Sequence, residues 1–395
     1  MRRASPDGQS GHLIRDRNLH IVFSITLIAV LAVSSITPAF PQIARALDVS
    51  PAQIGWLISA FTVPGIFLTP LLGMAADRWG RRQVLVPSLL LFAAAGAACA
   101  LAPDFRTLVI LRLLQGVGGA SLGALNLTII SDLYSGPVRT EAMGYNASVL
   151  SVGTASYPAI GGALALLGWN YPFLLALLGI PVALLVLFGL PRAHPVPRTS
   201  LRDYLVRIGR ALTTPAIAGM MFATVTIFIM LFGSYMAFFP ALAERSFGAS
   251  SLSIGLVLST GSVVTAITSS RLGRLAGRFG KTRLARLGFV FFGLAMLGFP
   301  AAREAWQLFV SAAVFGAGAA LSIPTILNLL ADHAPEDQRG AFLSINGMLL
   351  RLGQTLGPIL MGGVVGWWNV EAAFYAAAAL ALDTLLLLTA TLPRP

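Results

Sequence analysis

Three charged residues stand inside apolar sequence, where charge is costly. Arg112 lies about seven residues into one apolar run, while Arg351 and Asp383 lie twelve residues beyond Arg339 and Glu371 in two consecutive runs. At about 1.5 Å per helical residue, the depths are about 10 Å for the first and about 18 Å for the other two. An uncompensated charge at such depth costs several kcal/mol, so each must face protein or a wet cavity. The chemistry open to them is ion pairing or proton transfer. Arg351 and Asp383, on consecutive antiparallel helices, are expected to pair. The pair is either a structural tie between the last two helices or a proton site at Asp383 tuned by Arg351 and desolvation.

Other chemistry is missing. The four histidines, His12, His20, His194 and His333, are not at ligand spacing, and Cys99 is the lone cysteine. No metal site, disulfide or redox cofactor is therefore expected. No Gly-x-x-x-x-Gly-Lys-Ser/Thr loop is present, so nothing points to transport driven by the chain's own ATP hydrolysis. No nucleophile–base pair and no selectivity-filter loop stands out. The sequence reads as neither enzyme nor channel, with no catalytic residue and no cofactor.

The elements that must position these charges follow from composition. Of 395 residues, 56% are apolar and only 11% charged, with a mean hydropathy of +0.80. A soluble chain carries about 25% charged residues, so this is a polytopic membrane protein. Apolar runs of about 20 residues, the length that spans a bilayer, are read at 20–42, 52–75, 83–102, 106–131, 140–167 and 171–190. A second six follow at 215–242, 251–272, 284–301, 305–330, 340–366 and 371–392. Four sections result: an arm over 1–19, a six-helix bundle over 20–190, a linker over 191–214 with three prolines and five arginines, and a second bundle over 215–395. Met1-Arg2-Arg3 resembles the start of a twin-arginine signal, but polar sequence continues to Asn18 and the first run is too long for a signal peptide, so no cleavage is expected.

The net charge of +12 is explained by topology. The arm, the even-numbered loops, the linker and the tail hold 21 of the 27 Lys and Arg residues. The positive-inside rule then places both termini in the cytoplasm. No nucleic-acid partner is needed, and the lipid bilayer is the expected surroundings. A shift of 200 residues brings Gly73, Arg78 and Gly80 onto Gly273, Arg278 and Gly280, and Asp132 onto Asp332. It also brings Asn146, Gly153, Pro158 and Gly162 onto Asn346, Gly353, Pro358 and Gly362. Six helices per half make this a parallel repeat, which suits two bodies rocking about a central site.

The loop after the second run reads Gly73-Met-Ala-Ala-Asp77-Arg78-Trp79-Gly80-Arg81-Arg82. Here the sequence resembles the major facilitator superfamily, whose signature in this loop is Gly-x-x-x-Asp-Arg-x-Gly-Arg-Arg/Lys. The resemblance implies an all-α integral membrane fold of twelve helices in two six-helix bundles, and a secondary transporter working by alternating access. It implies that Asp77 docks near Gln338–Phe342 when the inner face is closed, with Arg78, Arg81 and Arg82 tying helix ends together. The bland reading is that these arginines only set topology. Gly73 and Gly80 permit close packing and a sharp turn. Gly277 replaces the acid in the second half, so any carboxylate latch is one-sided.

Two further motifs extend the resemblance. Arg112-Leu-Leu-Gln115-Gly116-Val-Gly118-Gly119 is similar to the family's fourth-helix motif, which implies a part for Arg112 in proton coupling; the alternative is that it caps carbonyls or snorkels outward. Gly153-Thr-Ala-Ser-Tyr157-Pro158-Ala-Ile-Gly161-Gly162 is similar to the antiporter signature Gly-x-x-x-Gly-Pro-x-x-Gly-Gly, with Tyr157 in place of a glycine that the repeat keeps at Gly357-Pro358. The family lines its cavity with helices one, four, seven and ten, which nominates Ser34, Ser35, Asn126, Thr128, Tyr235, Thr325 and Asn328 as polar contacts. The aromatics of the seventh run, Phe222 to Phe239, either bind flat cargo or simply pack. The expectation is a monomeric drug:proton antiporter of a bacterial inner membrane, exporting small amphipathic or lipophilic molecules with protons as coupling ion. A native metabolite (a sugar, amino acid or organic anion) is the alternative cargo.

Overall fold

The computed structural model describes residues 13–190, 214–333 and 339–392. Most of the arm, the linker over 191–213 and the expected docking point at Gln338 lie outside the described residues. Eleven helices are long and apolar enough to cross a membrane. In chain order they are α1 (Arg17–Ala46), α2 (Pro51–Trp79), α3 (Arg81–Cys99), α4 (Phe105–Leu133), α6 (Tyr171–Gly189), α7 (Pro215–Phe247), α8 (Ser251–Ser270), α9 (Lys281–Ala301), α10 (Ala305–His333), α11 (Ile345–Trp367, begun at Arg339) and α12 (Val370–Thr391). The twelfth long helix is α5, Gly136–Ala165, as long as α1 but richer in serine, threonine and glycine. The described residues are helical with no strand, in two six-helix halves.

Local chemistry sets the helix ends. The Asp16, Asp104, Ser250 and Asn369 side chains accept the backbone N–H of Asn18, Thr107, Ser253 and Ala372, which caps α1, α4, α8 and α12. Gly80 (φ 102°) and Gly280 (φ 78°) take the tight turns into α3 and α9, a conformation that side chains with a Cβ resist. Outward faces carry exposed Leu, Ile and Phe, and Trp56, Trp306, Trp367 and Trp368 gather at the face away from the basic loops, as aromatic side chains do at a bilayer boundary.

The chain divides into two compact units. The first takes residues 1–35, 60–156 and 170–198, where α3 packs on α4 and α6, and α1 on α4 and α6. The second takes 36–59, 157–169 and 199–395, where α9 packs on α10 and α12, and α7 on α10 and α12. The same pairings thus recur at the repeat distance. So do individual contacts. A Cβ on Gly116 would collide with the carbonyl oxygen of Phe61, and one on Gly316 with that of Gly261. Thr26 donates to Asn146 at 2.6 Å in one unit, and Thr224, two residues short of the exact register, to Asn346 at 2.7 Å in the other.

Candidate functional site

The basic-face loop is built on Gly80, whose positive φ turns the chain from α2 into α3 and sets Arg81 at the first helical position. The buried Arg81 guanidinium is ion-paired to Asp77 one turn back, and its Nε donates to Asp132 on α4 at 3.0 Å. Arg81 thus clamps α2, α3 and α4 together. Arg78 is exposed, and neither it nor Arg82 makes an ion pair among the described residues, so of the three arginines only Arg81 ties helix ends together. Gly73 has open space where a Cβ would stand, so the close packing expected there is not made in this conformation. Beside the loop, the Tyr134 hydroxyl donates to Asp16 at 2.7 Å. Burial, then that bond and the Asp16 charge, push the Tyr134 pKa up and keep the hydroxyl protonated as a donor.

Arg112 is fully buried in the first unit. Its guanidinium donates to the Ala32 carbonyl at 3.1 Å and to Gln115 Oε1 at 2.7 Å, and lies 4.6 Å from the centre of the Phe61 ring. One cation thereby gathers α1, α2 and α4 through a carbonyl, an amide and an aromatic face. It does not snorkel. Farther along α4, the Thr26 hydroxyl of α1 donates to Asn146 on α5 and accepts from Asn126 at 2.9 Å. Thr26 and Asn146 escaped the sequence analysis as a site. The coincidence of Asn146 with Asn346 under the repeat was their one signal.

Arg351 and Asp383 do not pair, which corrects the expectation. Neither makes a hydrogen bond or ion pair among the described residues. Asp383 lies on the exposed face of α12 with Leu382 and Leu386, whereas that helix packs through Ala377, Ala381 and Thr384. Spacing along the helices placed the two charges at one depth. The rotation of α12, set by its packed face, turns the carboxyl away.

Within the second unit, the face away from the basic loops is sealed. The Pro158 carbonyl of the antiporter-type segment sits where a Cβ on Gly255 would be, and the Ser251 hydroxyl donates to the Gly162 carbonyl at 2.9 Å. On the matching side, Gly55 meets Pro358, and the Ser59 hydroxyl donates to the Thr355 carbonyl at 2.9 Å. Arg45 is ion-paired to Glu244 at the same face. Gly357 packs against Ile229 and Gly233 of α7, whose Met230–Phe238 stretch is wound as a π-helix. Such wide turns often mark functional sites. Gly153 and Gly161 lie on α5 beside these contacts in sequence, and Tyr157 is buried.

Of the nominated polar contacts, Ser34, Ser35, Asn126, Tyr235 and Thr325 are buried, Thr128 is half-buried and Asn328 is exposed. Ser35 and Thr128 donate to carbonyls in their own helices. Tyr235 stacks on Phe315 with ring centres 4.2 Å apart, within a cluster that includes Phe239 and Phe299. Its hydroxyl donates to the Leu258 carbonyl at 3.4 Å. Aromatic packing therefore describes the inner part of that wall in this conformation.

The sequence model of the Major Facilitator Superfamily matches residues 22–243 and 220–395. The chain is 24% identical over 373 residues to Multidrug resistance protein 2 of Bacillus subtilis (strain 168), covering 90% of each chain. It is 25% identical over 389 residues to the class B Tetracycline resistance protein of Escherichia coli, covering 93% of this chain and 95% of that one. Among solved structures, the D-xylose-proton symporter superposes with a TM-score of 0.78 at 17% identity, over 95% of this chain and 98% of the other, which speaks for the fold.

Proposed function

Because the chain belongs to the major facilitator superfamily and is thus a multi-pass membrane transporter rather than an enzyme, we propose that it exports small amphipathic or lipophilic compounds by alternating access, with inward proton movement as the driving force. The observation that carries this reading is the seal. Its contacts pair small residues with carbonyls and a few hydroxyls, as at Gly255 and Pro158 or Ser59 and Thr355. Contacts of that kind part and re-form without stranding buried charge, which a gate must do each cycle. The relatives named for multidrug and tetracycline resistance support drug-like cargo.

In this reading the basic face is cytoplasmic, both termini lie there, and the protein works as a monomer in a bacterial inner membrane. The bundles at 20–190 and 215–395 rock against one another across the 191–214 linker. The Asp77–Arg81–Asp132 clamp keeps the first-half loop rigid during that motion. Arg112 takes part in the coupling to proton movement without itself carrying the proton, because α1, α2 and α4 all meet at its guanidinium and a change in its surroundings moves all three. A native metabolite (a sugar, amino acid or organic anion) is the second reading, favoured by Arg351, an arginine deep in α11 with no counter-charge among the described residues.

The test is efflux of amphipathic fluorescent dyes of both charge signs from expressing cells, with and without an uncoupler, beside Asp77→Asn. Export driven by protons is expected to stop with the uncoupler and to fall in the variant. Correctly inserted protein that moves no dye sinks the drug reading and leaves a narrow metabolite exporter, to be sought by comparing secreted metabolites.

A further inference from the structure

Arg351 occupies a particular place on α11. Helix geometry puts residues four, seven and eleven positions on within about 40° of it, so Thr355, Pro358 and Gly362 share its face. That face is the one that seals against the start of α2: Thr355 takes the Ser59 hydroxyl at 2.9 Å, Pro358 abuts Gly55, and a Cβ on Gly362 would lie 2.9 Å from the Ala52 carbonyl. Arg351 is the next position on that face, one turn toward the basic side of the seal. It is half-buried rather than enclosed, although it sits about 18 Å along the helix from Arg339. A side chain on the sealing face does not point to lipid, which Ile359 and Leu360 meet instead. The guanidinium is therefore only partly covered, on the basic side of the seal.

No described residue supplies its counter-charge, and the carboxyl at the same depth, Asp383, faces outward from α12. A cation at mid-membrane depth requires an anion or a strong set of acceptors. We propose that Arg351 anchors an anionic group of the cargo, a carboxylate, sulfonate or phosphate ester on an otherwise apolar molecule, held against the inner side of the seal. The inference rests on the transport reading and narrows its cargo to amphipathic anions. Arginine suits the task because its planar fork donates two parallel hydrogen bonds to such a group and stays charged when partly dehydrated.

The test is equilibrium binding to the purified full chain in detergent, with gluconate replacing chloride, using two dyes that share a xanthene ring system. Fluorescein carries the anion and rhodamine 6G a cation. Wild type is expected to bind fluorescein, Arg351→Gln to weaken it at least tenfold, and Arg351→Lys to recover part of the loss. Rhodamine 6G should bind both variants as well as wild type or better, which also reports that they are folded. Equal weakening of both dyes in Arg351→Gln, unchanged fluorescein binding, or a wild type that holds rhodamine 6G alone or neither dye overturns the proposal. So does a chloride titration that displaces no fluorescein from wild type yet stabilises it only when Arg351 is present, since the site would then hold an inorganic ion. Because binding is read without transport, failed dye efflux in cells leaves this result independent.

Discussion

The loops joining α2 to α3 and α8 to α9 are the same structure carrying different charge. Each turns on a glycine with positive φ, Gly80 or Gly280, and each sends a cation from the following helix to an aspartate fifty-one residues on, Arg81 to Asp132 and Lys281 to Asp332. In the first half Asp77 adds a second carboxylate and Arg81 is buried between the two. In the second half Gly277 leaves a single pair, with the Lys281 and Asp332 side chains 42% and 53% exposed. Duplication thus preserved the turn and the helix-to-helix tie, while only one copy became a buried network. Buried, multiply bonded charge is costly to break, whereas an exposed pair is worth little.

The widest separation between the halves should come from removing each cation. Arg81→Ala leaves Asp77 and Asp132 facing each other without their shared partner and should cost about 2–3 kcal/mol, less than a fully buried pair because Asp77 is half exposed. Lys281→Ala should stay within about 0.5 kcal/mol. Thermal midpoints of the purified variants measure both, and equal losses would dissolve the contrast.

The next effect lies in the polar cross-ties. Asn146→Ala removes the buried acceptor of a Thr26 hydroxyl that also takes the Asn126 amide, and should cost about 1–3 kcal/mol. Asn346→Ala affects Thr224 alone and should cost about 1 kcal/mol; both threonines can fall back on a carbonyl of their own helix, Val22 or Met220, so the third member, Asn126, makes the difference. The same melting experiment ranks them, and an inverted order would refute the network reading.

A smaller change sharpens the comparison by rebuilding it. Gly277→Asp puts a carboxylate four residues before Lys281, in open space. It should raise stability by no more than about 0.5 kcal/mol in low salt and lose that gain in high salt. A salt-independent gain would mean that more than a surface pair had formed.

The smallest effect is a dependence on pH confined to the first half. Hydrogen bonds from the Thr107 N–H and hydroxyl hold the Asp104 carboxyl below its ordinary pKa. Its cap therefore contributes above the unfolded carboxylate's pKa of about 3.9 and is lost as pH falls through the lower folded value. At the matching start of α10 the neutral Gln307 accepts the N–H groups of Arg303 and Glu304. Melting curves of Asp104→Ala should fall below wild type at neutral pH and converge with it in acid, whereas the deficit of Gln307→Ala should not titrate with Asp104.

Most of the fold was legible because its determinants are local. Runs of apolar residues mark the spans, loop arginines mark one face, and the repeat is visible as matched glycines, prolines and aspartates. The signature loop was legible for the same reason, since Asp77, Gly80 and Arg81 act on one another within a turn. The helix α5 is the marginal case, for its serines and glycines dilute the apolar signal. The meeting of Thr26, Asn126 and Asn146 was not legible. Single polar residues on three helices carry no local pattern, and only packing brings them together.

Arg351 and Asp383 divide the two kinds of information. The sequence by itself determined how deep each charge lies, because a helix advances a constant distance per residue. Only the tertiary structure decided which way each points. That direction depends on which face of a helix its neighbours bury, and α12 buries Ala377, Ala381 and Thr384 while α11 turns Thr355 and Pro358 onto the seal. Equal depth with opposite facing leaves Arg351 beside the seal with no partner among the described residues and Asp383 on the outside.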